Sequence, residues 1–451
     1  VSKPFETKDN EFIAWYPCCL NENDANHVWD KRRAGYYIHI PFCTAICDYC
    51  GFAVQRLKGA DVSQYLKALQ WEITQYAESG QLSNHYFDCG HFGGGTPSVL
   101  EAKDLVAIKN LVHSSFDVKD TAEITVEVNP ISFTEAKAGC YIEGGINRIS
   151  LGLQSFQDRL LKLIGRPHRA VDVKNALQAA KRSGVDNFSL DIIFGIPSQT
   201  IQELKNDLAR AVDTGATHLS CFRLEIIPFT ALKLRSASST FPPSLKTDTV
   251  NEMEDIIRQY LGGQGYREYG VFNFAKSGYE SIHNDIAFMA PQDEYIGFGN
   301  SSYSYINGYV YCNYADVQDY TNTVCQGVLP IAYAKRVNTH ELMSRYFVLG
   351  LKFLKVEREN FIRLFGMAAE QVFGSTLERL QHSGYLRSTD DGWEVTVLGR
   401  RYINNVCKEF YVGENRESRQ HIQFVPNLTA NQILHHINML NPDAKQTYLD
   451  N

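Results

Sequence analysis

The chain has 451 residues, 44% hydrophobic and 12% aromatic, with 44 basic against 51 acidic residues and a formal charge of −7. That is enough apolar material for one large domain with additions or for two to three domains, and it excludes a disordered, collagenous or coiled-coil chain. A mild acidic balance without a basic stripe argues against a nucleic-acid partner, and no run approaches the ~18 apolar residues of a membrane span.

The opening segment VSKPFETKDNEF has no basic stretch followed by an apolar one, so no secretory leader is expected. Eleven cysteines, an odd number, argue against a disulfide framework and for a reducing cytoplasm. Residues 1–33 are polar and mixed and are expected to form an arm. From Tyr36 short β-rich runs alternate with helical spacing, the signature of βαβ units. The runs are Tyr36–Ile40, Tyr86–Phe92, Glu123–Val128, Arg148–Leu151, Phe188–Phe194 and His218–Leu224. Tyr65, Leu69, Ile73 and Tyr76 form one helical stripe. Val173, Ala176, Leu177 and Ala180 form another, stopped by Gly184. Thr200 and Glu203 fit a capping box, with Ile201, Leu204, Leu208 and Ala211 on one face behind it.

Six such units are too few for an eightfold barrel, so the expected fold is α/β, a partial six-unit (β/α) TIM-like barrel over 34–310. Catalytic groups then belong at the C-terminal strand ends. Arg235–Lys246 reads as a Ser/Pro-rich loop, and Tyr295-Ile-Gly-Phe-Gly299 as a turn. Residues 247–335 are aromatic and Gly-rich; from His340 to Phe410 the pattern turns helical and then hairpin-like around Asp390-Asp391, which suggests a small winged-helix-like domain over 311–411. Residues 412–451 are a polar tail with one short helical stripe from Ile433 to Leu440.

The chemistry sits after the first run, in Cys43-Thr-Ala-Ile-Cys47-Asp-Tyr-Cys50. Chance would place this spacing in such a chain in about 0.6% of cases, so coincidence is a poor account. Three thiolates on one loop can hold three corners of a [4Fe–4S] cube and leave the fourth iron open. Structural zinc wants four closed ligands, and His39 is a possible fourth. The iron–sulfur reading is favoured, with zinc and ordinary core thiols as the alternatives.

The segment Tyr37-Ile-His-Ile-Pro-Phe-Cys43 through Cys50 resembles the signature of radical S-adenosylmethionine (SAM) enzymes of the HemN-like branch. The resemblance continues through Gly93-Gly-Gly-Thr-Pro97, Glu127-Val-Asn-Pro130, Ser150 to Gln154, Gly165-Arg166-Pro-His168 and Asp191 to Pro197, and covers about residues 33–410. It implies a radical SAM barrel with a HemN-like C-terminal domain. It implies a cluster on Cys43, Cys47 and Cys50 whose open iron binds SAM, and reductive cleavage of SAM to a 5′-deoxyadenosyl radical. It implies two SAM molecules, cofactor contacts from Tyr37, Tyr49, Gly94, Gly95, Thr96, Glu127, Gln154, Arg166 and Asp191, and weaker ones from Glu225 and Tyr303. An electron donor such as flavodoxin or ferredoxin and a small-molecule substrate follow from it, as does a cytoplasmic location. His168 reads as a structural histidine.

Within the branch, Phe52 stands where the coproporphyrinogen oxidases usually carry a further cysteine. The segment His283-Asn-Asp-Ile-Ala-Phe288 keeps the His-Asn of a haem-chaperone motif and lacks its Tyr-Trp. The expected reaction is therefore methyl or C1 transfer to an unsaturated or heteroaromatic carbon. Porphyrinogen decarboxylation and haem-binding chaperone activity are the alternatives, with the anaerobic haem-degrading members a further one.

Overall fold

The computed structural model describes residues 32–289 and 291–413. All six β-like runs form strands: β1 (Arg32–Ile40), β2 (His85–Gly94), β3 (Val118–Val128), β4 (Arg148–Gln154), β5 (Phe188–Phe194) and β6 (His218–Arg223). They pair in chain order, each parallel to the one before. Parallel neighbours need crossovers, and helices supply them: α1 (Val62–Ser79), α2 (Ala102–Ser115), α3 (Glu135–Glu143), α4 (Asp158–Leu163), α5 (Ala170–Arg182) and α6 (Ile201–Asp213). The expected stripe of α1 is buried. Gly184, just past α5, takes φ +72°, and Thr200 and Glu203 close a reciprocal capping box on α6.

Strand alternation sorts the side chains. Ile38, Ile40, Phe92, Val126, Leu151, Ile192 and Leu219 pack in the core shared with the helices. The alternate residues face the barrel interior and are polar: Tyr37, His39, His91, Glu123, Glu127, Arg148, Ser150, Asp191 and His218.

The sheet is larger than expected, with 12 strands. Tyr295–Gly299 is not a turn: Glu294–Phe298 is a strand, β7, parallel to β1 on its free side. A Cβ at Gly297 would lie 2.5 Å from the Tyr303 carbonyl, so this glycine permits a close strand approach, and the chain reverses only after Gly299, at φ +95°. Antiparallel strands Tyr303–Ile306, Tyr309–Asn313 and Ile331–Arg336 follow. Asn273–Ala275 and Arg267–Gly270 extend the other edge beyond β6. The boundary expected after residue 310 therefore falls inside a sheet strand, and the sheet runs on to Arg336. Arg235 and Ser236, read as loop, end the short helix Ala231–Ser236.

Beyond the sheet, helices Thr339–Gly350, Arg358–Phe365 and Ala369–His382 pack on a three-stranded antiparallel sheet of Lys355–Glu357, Gly392–Val395 and Leu386–Ser388. Its core centres on Trp393, Phe347, Phe373 and Phe410. Of the expected arm, Arg32 and Arg33 belong to β1; residues 1–31 and the tail from 414 lie outside the described residues. Among the described residues no helix is long and apolar enough to cross a membrane.

Candidate metal centre and cofactor site

The cysteine loop leaves β1 at Pro41. Its base is closed by Phe42–Cys43 pairing in parallel with Gln55–Arg56. The Cys50 N–H donates to the Cys47 carbonyl at 3.1 Å, which turns the second half of the loop back on itself. Cys43 is buried, and Cys47 and Cys50 are half-buried. Burial pushes the Cys43 thiol up to about 11, and the Cys50 thiol higher still; neighbouring thiols add to both shifts and the Arg166 guanidinium opposes them. Such thiols ionise when a metal takes the place of the proton. Among the described residues no three His, Cys, Asp or Glu side chains converge on the position of a single ion. A cuboidal cluster makes a different demand, since each thiolate binds its own iron.

Around the loop the C-terminal strand ends bring most of the expected residues together. At the end of β2, Gly95 N–H donates to the Ile40 carbonyl at 2.8 Å and Thr96 N–H to the Phe42 carbonyl at 2.9 Å. The Thr96 hydroxyl lies 3.4 Å from the Cys43 sulfur. No side chain fits on the glycines. A Cβ on Gly94 (φ +106°) would sit 2.5 Å from the His39 ring, one on Gly95 2.7 Å from the Pro41 backbone, and one on Gly93 2.7 Å from Glu127 Oε1.

Glu127, on β3, accepts from His91 Nε2 at 2.9 Å and from the Gly94 N–H. Its carboxyl stays partly open, yet desolvation by the surrounding wall pushes it up to about 7. Asp191, on β5, is pushed up to about 7 by desolvation and by the charge of Glu127, against Arg148 and the hydroxyls of Ser150 and Ser220. On β4, Gln154 holds φ +66°, a left-handed conformation that costs a non-glycine residue roughly 1 kcal/mol and that packing must enforce. Its amide and the Arg166 guanidinium both reach over Gly152. Arg166 donates to the Gly152 carbonyl at 2.7 Å and to the Cys47 sulfur at 3.3 Å, and its buried Nε has no partner among the described residues.

Tyr49 is half-buried and, with Leu163 and Leu224, packs against a small apolar cluster of Leu160, Ile164, Ile193 and Ile196. Tyr37 stacks on His91 and His283, with centroids 5.9 Å and 6.1 Å away. Tyr303 pairs with Cys312 in the antiparallel extension. His168 is buried with Nε2 2.9 Å from the Leu153 carbonyl, a structural role.

Sequence reasoning did not select His91, and it noted His283 only as the first residue of a partial haem-chaperone motif. Their rings stack at 4.5 Å beside Glu127, and desolvation lowers both so that they are neutral. The available signal was alternation: His91 lies two residues before Gly93, on the same side of β2.

The Radical SAM superfamily profile matches residues 37–211. The haem chaperone HemW of Bacillus subtilis (strain 168) is 31% identical over 379 residues, which is 83% of this chain and 98% of that protein. Its counterpart in Escherichia coli (strain K12) is 30% identical over 388 residues, 83% and 97% of the two chains. The chain belongs to the HemN-like radical SAM family. The solved coproporphyrinogen III oxidase HemN from Escherichia coli superposes on this family member with a TM-score of 0.75 at 22% identity, covering 85% of this chain and 91% of that one. That likeness carries the fold: a mostly parallel α/β sheet with a C-terminal helical domain.

The superfamily implies a [4Fe–4S] cluster and SAM, and the residues present fit both. The donor set is three thiols on one loop beside a cationic guanidinium, and the glycine run leaves backbone exposed where a Cβ would collide.

Proposed function

We propose that this HemN-like radical SAM protein handles haem, with Cys43, Cys47 and Cys50 holding the cluster. The carrying observation is the match to the Bacillus subtilis haem chaperone over 98% of that protein's length. The relatives favour this reading over methyl transfer, which was the first expectation from the sequence. When bound, the cluster supplies the electron that SAM cleavage requires.

The residues around it have distinct tasks. Gly94, Gly95 and Thr96 offer backbone to the amino-acid end of SAM, and Glu127 offers a carboxylate to its ammonium. Arg166, already beside the Cys47 sulfur, faces the carboxylate end, and its planar fork suits that partner better than a lysine would. Gln154 and Asp191 supply hydrogen bonds to the nucleoside. Tyr37, stacked on two neutral histidines, gives the interior a flat wall suited to a planar ligand.

The test is anaerobic reconstitution followed by titration with haem, with SAM and dithionite in parallel samples. Saturation of the haem absorbance at one equivalent, and passage of that haem to an apo-haemoprotein, is the expected result. Stoichiometric S-adenosylhomocysteine with a methylated acceptor, or vinyl groups formed on coproporphyrinogen, would instead assign a transferase or an oxidase.

A further inference from the structure

Asp48 stands between the second ligand cysteine and Tyr49, and two segments, the turn after α4 and residues 224–236, hold it. Its N–H donates to the Ile164 carbonyl at 3.2 Å, at the end of α4. Its carbonyl accepts from the Leu232 N–H at 2.6 Å, and Leu232 is fully buried. Its carboxylate pairs with the Arg235 guanidinium. The same guanidinium nitrogen donates to the Leu163 carbonyl at 3.1 Å, so Arg235 ties both segments to one point. Gly165, at φ +70°, makes room: a Cβ there would sit 2.5 Å from the Asp48 carboxyl carbon. Next to Asp48, Tyr49 is covered by Leu163 from one segment and Leu224 from the other.

We propose that residues 224–236 form a strap across the cysteine loop, latched by Arg235 on Asp48, that limits access of oxygen and solvent to the cluster. This inference rests on the cluster reading above. An exposed ion pair by itself contributes little to global stability. Here it closes a segment whose opening is a local event, so its loss acts on local protection and leaves the global fold in place. Leu232 and Tyr49 pack beneath the latch, and opening it uncovers the loop between Cys47 and Cys50.

The experiment uses the full chain, reconstituted anaerobically, with R235A, R235K, D48N and G165A. The first readout is the decay of the cluster absorbance after mixing with air-saturated buffer. The second is hydrogen exchange of residues 43–56 in the cluster-free chain. R235A and D48N are expected to start with wild-type iron content and melting temperature and to lose the band about fivefold faster. R235K, which keeps a cation at the latch, should stay close to wild type. G165A displaces Asp48 without changing charge and should decay quickly. Wild-type decay in R235A at wild-type iron content overturns the latch. A wild-type chain that takes up no cluster defeats the underlying reading instead; exchange of 43–56 then decides the strap, which unchanged exchange in R235A overturns.

Discussion

Desolvation pushes two carboxyls of the site toward neutrality. Desolvation brings Glu127 to about 7, although the Gly94 N–H works against the shift. Asp191 reaches about 7 by desolvation and by repulsion from Glu127. A cationic ligand group therefore meets a site only half ionised at pH 7. If the carboxylate form of Glu127 is what an ammonium binds, its population grows about tenfold between pH 6 and pH 8. SAM affinity of the cluster-loaded protein, measured by equilibrium dialysis, should rise by that factor relative to E127Q across the interval. Taking the difference from E127Q removes the titration of SAM itself. Parallel pH profiles for the two proteins would deny Glu127 the ammonium. The position of Glu127 was legible because it closes a β-rich run. Its partner His91 was not, because a lone histidine on a strand looks like any other until the strand's inward face is known to be the site.

At the scale of elements, α1 is pinned to the far extension of the sheet through one buried acid. Glu72 is fully buried and accepts from the Gly299 N–H at 2.8 Å, the Tyr320 hydroxyl at 2.7 Å and Asn313 Nδ2 at 2.6 Å. Two turns earlier, the Tyr65 hydroxyl donates to the His39 carbonyl at 2.8 Å. The helix thus fixes the end of β1 from which the cysteine loop departs. Desolvation outweighs those three donors and raises Glu72 from 4.5 to about 7. The folded protein therefore binds the proton more tightly than the unfolded chain, and this group's contribution to stability falls as pH rises from 4.5 to about 7 and is constant above. Thermal melts from pH 5 to pH 8 should show a flatter pH dependence for E72Q, with a lower melting temperature at pH 5 because the new amide faces three donors. An undiminished slope would place the titration elsewhere.

The six parallel strands were readable because each is a short β-rich run bounded by turn residues. The alternation of their two faces is present in the sequence, without saying which face is the site: Glu-Ile-Thr-Val-Glu-Val from Glu123 and Arg-Ile-Ser-Leu-Gly-Leu-Gln from Arg148 alternate polar with apolar, where a parallel sheet packed on both faces reads as continuous apolar sequence. β7 was not readable, because Gly297 within it and Gly299 just past it look like punctuation and only the close approach of the Tyr303 backbone gives Gly297 its reason. The latch at Asp48 was equally hidden, since Arg235 lies 187 residues away in sequence.

Across the whole molecule, the C-terminal unit has its own aromatic core yet reaches the barrel interior through one aromatic chain. Phe353 lies edge-on to Tyr269 at 5.7 Å and against Phe288 at 5.7 Å. The Val271 N–H donates to the Lys352 carbonyl at 2.8 Å, a backbone bond between the two units. Arg400 pairs with Glu268, and Arg401 with Asp255 at 2.5 Å. The Tyr269 hydroxyl in turn lies 2.8 Å from His218 Nε2 and accepts from the Ser281 N–H and the Asn284 amide, on either side of His283. The unit therefore props the helix that carries His283 against the stacked rings of the interior. An interface that combines backbone bonds, rings and ion pairs couples the two cores, so the described fold should unfold as one unit. Phe353→Ala removes a half-buried ring at that interface, for an expected loss of about 2 kcal/mol. In calorimetry of the full chain it should move a single transition to lower temperature and leave it single. On the proposed haem-handling reading, haem affinity should weaken as well, because the support of His283 is loosened while no residue of the ring stack is changed. A C-terminal transition that separates from an unmoved barrel transition would mean that the two cores stand independently, and that the interior histidines owe nothing to the unit below them.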